Sequence, residues 1–114
     1  MKIKKEILEE VPVFSPGGRL DASSSGRFKT RMAEEILPGG KLLIDLTGLE
    51  FLDSSGIGAL ISIHRKSTAS GGEVKLVCLN DRIRQVLALT RADRLFDIYD
   101  DPQAGARSFR RGQT

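Results

Sequence analysis

The residues with the most chemical promise are Asp53-Ser54-Ser55-Gly56-Ile57-Gly58. They follow an apolar strand-like run, Leu42-Leu43-Ile44-Asp45-Leu46, and open a helix-period run through Ile57, Leu60 and Ile61. Two hydroxyls therefore stand where a strand gives way to a helix. The first turn of a helix carries unpaired backbone N–H groups and a partial positive charge, so a negative group placed there finds donors waiting. Ser54 reads as a switch that accepts a phosphate. The plainer reading is an N-cap at Ser54 or Asp53, worth about 1 kcal/mol. Two details favour the switch. Small residues cluster here (Ser54, Ser55, Gly56, Gly58 and Ala59), leaving the backbone open to a partner. Gly56 and Gly58 also each cost about 1 kcal/mol of helix propensity, from which a purely structural helix start gains nothing.

Other chemistries fare worse. A serine nucleophile needs a base within hydrogen-bond reach. The single histidine, His64, is ten residues beyond Ser54 in the same expected helix, about 15 Å along its axis. It falls at i+3 and i+4 from Ile61 and Leu60, which suits half-buried packing. Gly17-Gly18 and Gly39-Gly40 lack the rest of a phosphate-binding loop and read as turns. One histidine and one cysteine cannot build a zinc site. Neither a metal nor a cofactor is expected. A phospho-aspartate receiver could draw on Asp45, Asp53 and the Glu9-Glu10 pair, but a strand rather than a helix follows Glu10, and no lysine ends the last strand.

The elements that must position Ser54 follow from pattern. The 114 residues, 39% hydrophobic and 29% charged, make one small domain, 1–114. The net charge of +3 invites nucleic acid, but acids and bases alternate, and the one-signed cluster Arg107, Arg110, Arg111 reads as a solvated helix end. Cys78 sits in an apolar run and reads as a buried small hydrophobe. The N-terminus shows no signal-peptide pattern and no apolar run approaches bilayer length, so a cytoplasmic protein without a membrane contact is expected. Residues 2–9 and 11–15 read as extended and pair antiparallel, with Pro12 at an edge or a strand start. Ser15-Pro16-Gly17-Gly18 reads as a turn or loop. Asp21 to Ser25 offers caps for an amphipathic helix through Phe28, Met32, Ala33, Ile36 and Leu37, stopped by Pro38-Gly39-Gly40. Residues 41–46 form a buried central strand with a helix, 54–70, beside it. A strand over 73–79, a helix capped by Asn80 or Asp81, a short strand over 95–99 and a last helix begun by Asp101-Pro102 complete an α/β chain. Its sheet is mixed, with about four to five strands and about four helices.

Three segments together resemble the STAS domain family, of bacterial anti-sigma-factor antagonists and the cytoplasmic tails of sulfate transporters. They are Gly18-Arg19-Leu20-Asp21-Ala22; the run from Leu43 through Asp53-Ser54-Ser55-Gly56-Ile57-Gly58; and Gly71-Gly72-Glu73-Val74-Lys75-Leu76-Val77 followed by Val86-Leu87-Ala88-Leu89-Thr90. The resemblance implies a STAS fold and a protein that is not an enzyme. Unphosphorylated, it would bind an anti-sigma factor that is also a serine kinase and so release a sigma factor. The kinase would phosphorylate Ser54, with Ser55 the second choice, and a protein phosphatase would reset it. The partner surface expected is Asp21, Ala22 and Ser23 together with Asp53, Ser54, Ser55, Gly56, Ile57 and Gly58. Asp21 would orient the partner or the hydroxyl, or cap the first helix. A monomer or weak homodimer is expected. The alternative the family offers is an unphosphorylated scaffold in a signalling or lipid-transport assembly.

Overall fold

A hairpin opens the chain. In the computed structural model, which describes residues 1–109, β1 (Ile3–Leu8) and β2 (Val11–Pro16) pair antiparallel from Ile3↔Pro16 to Leu8↔Val11. Glu9 and Glu10 join them, both with positive φ, 51° and 67°. That is the backbone twist a two-residue hairpin turn requires. Next come β3 (Gly18–Leu20), α1 (Ser25–Ala33), β4 (Lys41–Asp45), β5 (Leu49–Leu52) and α2 (Ser54–Ala69). β6 (Glu73–Val77), α3 (Asp81–Leu89), β7 (Ile98–Tyr99) and α4 (Pro102–Ser108) follow. The main sheet has five strands in the order β1-β2-β4-β6-β7, with β2, β4, β6 and β7 parallel to one another. The mixed sheet and the four helices agree with the pattern of the sequence.

β4 is the middle strand, and its apolar run is explained by cover on both faces. Leu42 and Ile44 join one core with Phe14, Phe28, Met32, Leu60 and Ile63, beneath α1, α2 and α3. Leu43 joins a second core with Val11, Val13, Val77, Ala106 and Phe109, beneath α4. α4 lies so close that a Cβ on Gly105 would stand 3.1 Å from methyls of Leu43 and Val77. Lys75 shares the Val77 face and is buried there. Its ammonium donates to Ser108 Oγ at 3.0 Å and sits 4.7 Å from the Phe109 ring. No helix among the described residues is long and apolar enough to cross a membrane.

Several expectations need correction. The first helix ends at Ala33 rather than running to Leu37, which is 66% exposed. The chain leaves the helix through i to i+3 bonds, Glu35 N–H to Met32 O and Ile36 N–H to Ala33 O. Pro12 is not on an edge strand, since β2 lies between β1 and β4. It stands second in β2, one residue before Val13, where pairing with β4 begins. Ser15 to Gly18 is not a loop. β2 runs through Pro16, Gly17 N–H donates to Lys2 O at 2.8 Å, and Gly18, at φ +80°, swings the chain into β3. β3 pairs parallel with β5 as a separate two-stranded ribbon, which is not among the expected elements. Of the C-terminal basic cluster only Arg107 is placed, exposed on α4, while Arg110 and Arg111 lie outside the described residues.

Asn80 ties the ribbon to the sheet. Its Nδ2 donates to Thr47 O at 3.1 Å and Leu49 O at 3.0 Å, and its Oδ1 caps α3 at Ile83 N–H. Asn80→Ala should lower unfolding stability by about 1–3 kcal/mol, because partly buried carbonyls and an N–H lose their partners. Asn80→Asp should cost at least as much as Asn80→Ala, since it keeps the cap but sets a carboxylate oxygen against the Thr47 and Leu49 carbonyls. Urea unfolding followed by circular dichroism checks both.

Candidate functional site

The β3–β5 register assembles the site. Leu20 pairs with Leu52, so Asp21 and Asp53 each stand one residue past the ribbon's end, and Asp53 N–H points at Leu20 O, 3.4 Å away. The two loops expected to meet do meet. From here each strand feeds a helix, α1 and α2.

Asp53 is extended and is the N-cap of α2. Its Oδ1 accepts from Ser55 N–H at 2.9 Å and Gly56 N–H at 3.1 Å. The donors a phosphate was expected to find free are therefore already taken by a carboxylate. Ser54, the first residue of the helix, is exposed, and Ser55 is half-buried. Gly58 is exposed, and a Cβ added to it would meet nothing within 4 Å. Gly56 and Ile57, expected on the partner surface, are in the core. A Cβ on Gly56 would stand 2.6 Å from both Leu20 O and Leu52 Cδ1. Gly56 is thus needed for the close approach of α2 to the ribbon, and only Gly58 is open to a partner.

Asp21 does not cap α1. Its Oδ1 accepts from Ser23 N–H at 3.0 Å and Ser23 Oγ at 2.8 Å, and its Oδ2 accepts from Arg19 Nε at 3.3 Å. The Ser23 hydroxyl first, then its N–H and Arg19, hold the Asp21 carboxyl below its ordinary range, against some desolvation. The N-cap position belongs to Ser24, whose hydroxyl is spent elsewhere. It donates to Arg19 O at 2.7 Å and accepts from Asp21 N–H at 3.1 Å. Ala22 and Ser23 are exposed beside this turn.

Of the caps offered between Asp21 and Ser25 the structure selects Ser24, whereas the outer pair Arg19–Phe51 was missed by sequence reasoning. Arg19 stacks over the Phe51 ring at 4.0 Å, and the two are partners in the ribbon register. Gly18 reads in the sequence as the end of a turn, so nothing there announces a strand, and only the register reveals the pair. His64 packs as expected, half-buried and edge-on to Phe96 at 5.1 Å. Cys78 is buried, and burial raises its thiol pKa. Among the described residues no group of three or more His, Cys, Asp or Glu could hold a metal ion.

The model of the STAS domain matches residues 2–105. A relative named as a candidate anti-sigma factor antagonist from Thermotoga maritima is 31% identical over 108 residues, 93% of this chain and 96% of the relative. A crystal structure of a Thermotoga maritima protein so named superposes with a TM-score of 0.84 at 29% identity, covering 95% of this chain and 94% of that one. The anti-sigma factor antagonist SpoIIAA, in its unphosphorylated form, shares the fold at a TM-score of 0.69 and 22% identity, covering 97% and 99%. SpoIIAA has also been solved in a phosphorylated form, with a TM-score of 0.67 at 21% identity, covering 94% and 99%.

The two glycines should part company in a thermal melt. Gly58→Ala should stabilise the fold by up to about 1 kcal/mol, as alanine replaces glycine on an open helix face. Gly56→Ala should destabilise it by about 1–3 kcal/mol, through overpacking against Leu20 and Leu52. Carboxyl-carbon NMR titration should place the Asp21 midpoint below 3.8, and Ser23→Ala should move it up. Because the folded value is the depressed one, Asp21's contribution to stability is present above its unfolded pKa and is lost as pH falls through the folded one.

Proposed function

The chain belongs to the STAS domain family, and from that premise we propose that it is an anti-sigma-factor antagonist switched by phosphorylation of Ser54. Unmodified, it binds an anti-sigma factor that is also a serine kinase, and a sigma factor is released. The observation that carries this reading is that Ser54, directly after the Asp53 cap, is exposed, as are Ala22, Ser23 and Gly58. The relatives' names point to the same partner class.

The chemistry belongs to the kinase. The Ser54 oxygen takes the γ-phosphoryl group of ATP, its proton passes to a base on the kinase, and ADP departs. The protein acts as binder and substrate, not as an enzyme. A phosphatase restores the hydroxyl by hydrolysis. The added group carries about −1.5 to −2 charges and three acceptor oxygens at pH 7. Asp53 already fills the Ser55 and Gly56 N–H groups, so the phosphate cannot fold back onto them without displacing a carboxylate. It is held at the surface, where a docked partner would have to bury it. The backbone tolerates the change and the complex does not.

Titration of the individually purified anti-sigma factors of the native genome tests this. Ser54→Ala should bind like wild type and take no phosphate. Ser54→Asp should stay folded and bind at least tenfold more weakly, about 1.4 kcal/mol. Ser55→Ala should still be phosphorylated. Unweakened binding by Ser54→Asp, with normal phosphorylation of Ser54→Ala, would replace the switch with the scaffold reading.

A further inference from the structure

α1 and α2 leave a groove along their outer junction, with a volume of about 530 Å³, walled by Lys29, Ala33, Glu34, Ser62, Ile63 and Lys66. A cleft of about 210 Å³ shares Lys29 with it and reaches Gly26, Ser55 and Gly58, beside Ser54. Neither helix contains an acidic residue within its span, and together they carry Arg27, Lys29, Arg31, Arg65 and Lys66; the groove's wall itself holds two lysines, Lys29 and Lys66, against one acid, Glu34 at the C-cap of α1. Arg31 is paired with Glu35. Among the described residues neither Lys29 nor Lys66 has an ion-pair partner. Basic residues in the opening turns of α1 also work against the helix dipole, so the fold itself gains nothing from them. Gly26 and Gly58 sit in the cleft with ordinary helical φ, and a Cβ on either would meet nothing within 4 Å. Packing does not require these glycines, whereas the approach of another chain would use them.

We propose that an acidic segment of the anti-sigma partner lies along this groove, its carboxylates on Lys29 and Lys66 and its backbone close over Gly26 and Gly58. This rests on the function proposed above and names what the partner presents. It also supplies the mechanism of release. A phosphate on Ser54 places two negative charges at the mouth of the cleft, repelling the incoming carboxylates and competing with them for Lys29. The contact is electrostatic and partly exposed, so its strength falls with salt.

The test titrates wild type, Lys29→Glu, Lys66→Glu, Gly26→Ala and Arg107→Glu with each purified anti-sigma factor of the native genome, at two salt concentrations. Arg107 lies on α4, across the sheet from the groove. Both lysine reversals should weaken binding at least tenfold and flatten the salt dependence, while Arg107→Glu leaves affinity unchanged. Gly26→Ala should melt at a higher temperature and bind more weakly, a combination that no loss of folding produces. If wild type binds but Lys66→Glu and Gly26→Ala bind equally well, the groove is not the docking surface and the Ser54 switch stands alone. Loss in Lys29→Glu only would confine the contact to the switch and overturn the groove. If no anti-sigma factor binds wild type or Ser54→Ala, the proposed function itself fails, and the groove proposal with it.

Discussion

The structure around Ser54 depends on one close contact, where the first turn of α2 rests against the β3–β5 ribbon at Gly56. No side chain fits there, because Leu20 O and Leu52 Cδ1 occupy the place a Cβ would take. That approach sets the angle at which α2 leaves the ribbon. It draws Gly56 N–H and Ser55 N–H onto the Asp53 carboxylate and turns Ile57 into the core. Ser54, one residue earlier, is consequently left outside. A satisfied cap followed by a packed glycine thus presents the Ser54 hydroxyl without loosening the helix that carries it.

The same arrangement decides how a phosphate would act. A helix N-terminus with open donors would absorb the new charge locally and hide it. Here the cap already holds a carboxylate, so the new charge has no such refuge and is expressed outward. Asp21, held ionised by Ser23 and Arg19, adds a second fixed negative charge at the adjoining loop. Basic side chains follow close by only on α1, from Arg27 and Lys29 in its opening turns; on α2 they come at Arg65 and Lys66, about three turns beyond Ser54. A phosphate on Ser54 would therefore stand between the acidic rim at the strand ends and the basic start of α1.

The opposite face of the sheet provides the rigidity. α4 seals Leu43 and Val77, and Lys75 is buried between Ser108 and the Phe109 ring with its charge bonded rather than solvated. A helix on each side of β4 explains why the central strand is apolar in both registers. It also explains why changes on the α1–α2 surface need not be felt in the core: the surface that would meet a partner and the side chains that hold the sheet are largely different sets.

Much of this was legible in the sequence, and the reason is locality. The apolar run 42–46, the period of Ile57, Leu60 and Ile61, the Asp101-Pro102 start and the Gly71-Gly72 stop are each read from residues a few positions apart. Each of those readings agrees with the structure. The prominence of Asp53-Ser54 was legible for the same reason. What the sequence could not decide was anything set by residues far apart in the chain. The β3–β5 ribbon rests on pairing between segments some thirty residues apart, and neither three- or four-residue strand carries enough pattern to announce itself. Gly56 and Gly58 are the same residue two positions apart in one helix. One is closed by Leu20 and Leu52 and the other is open, because an α-helix turns successive residues through about 100° and only the ribbon's position says which side is covered.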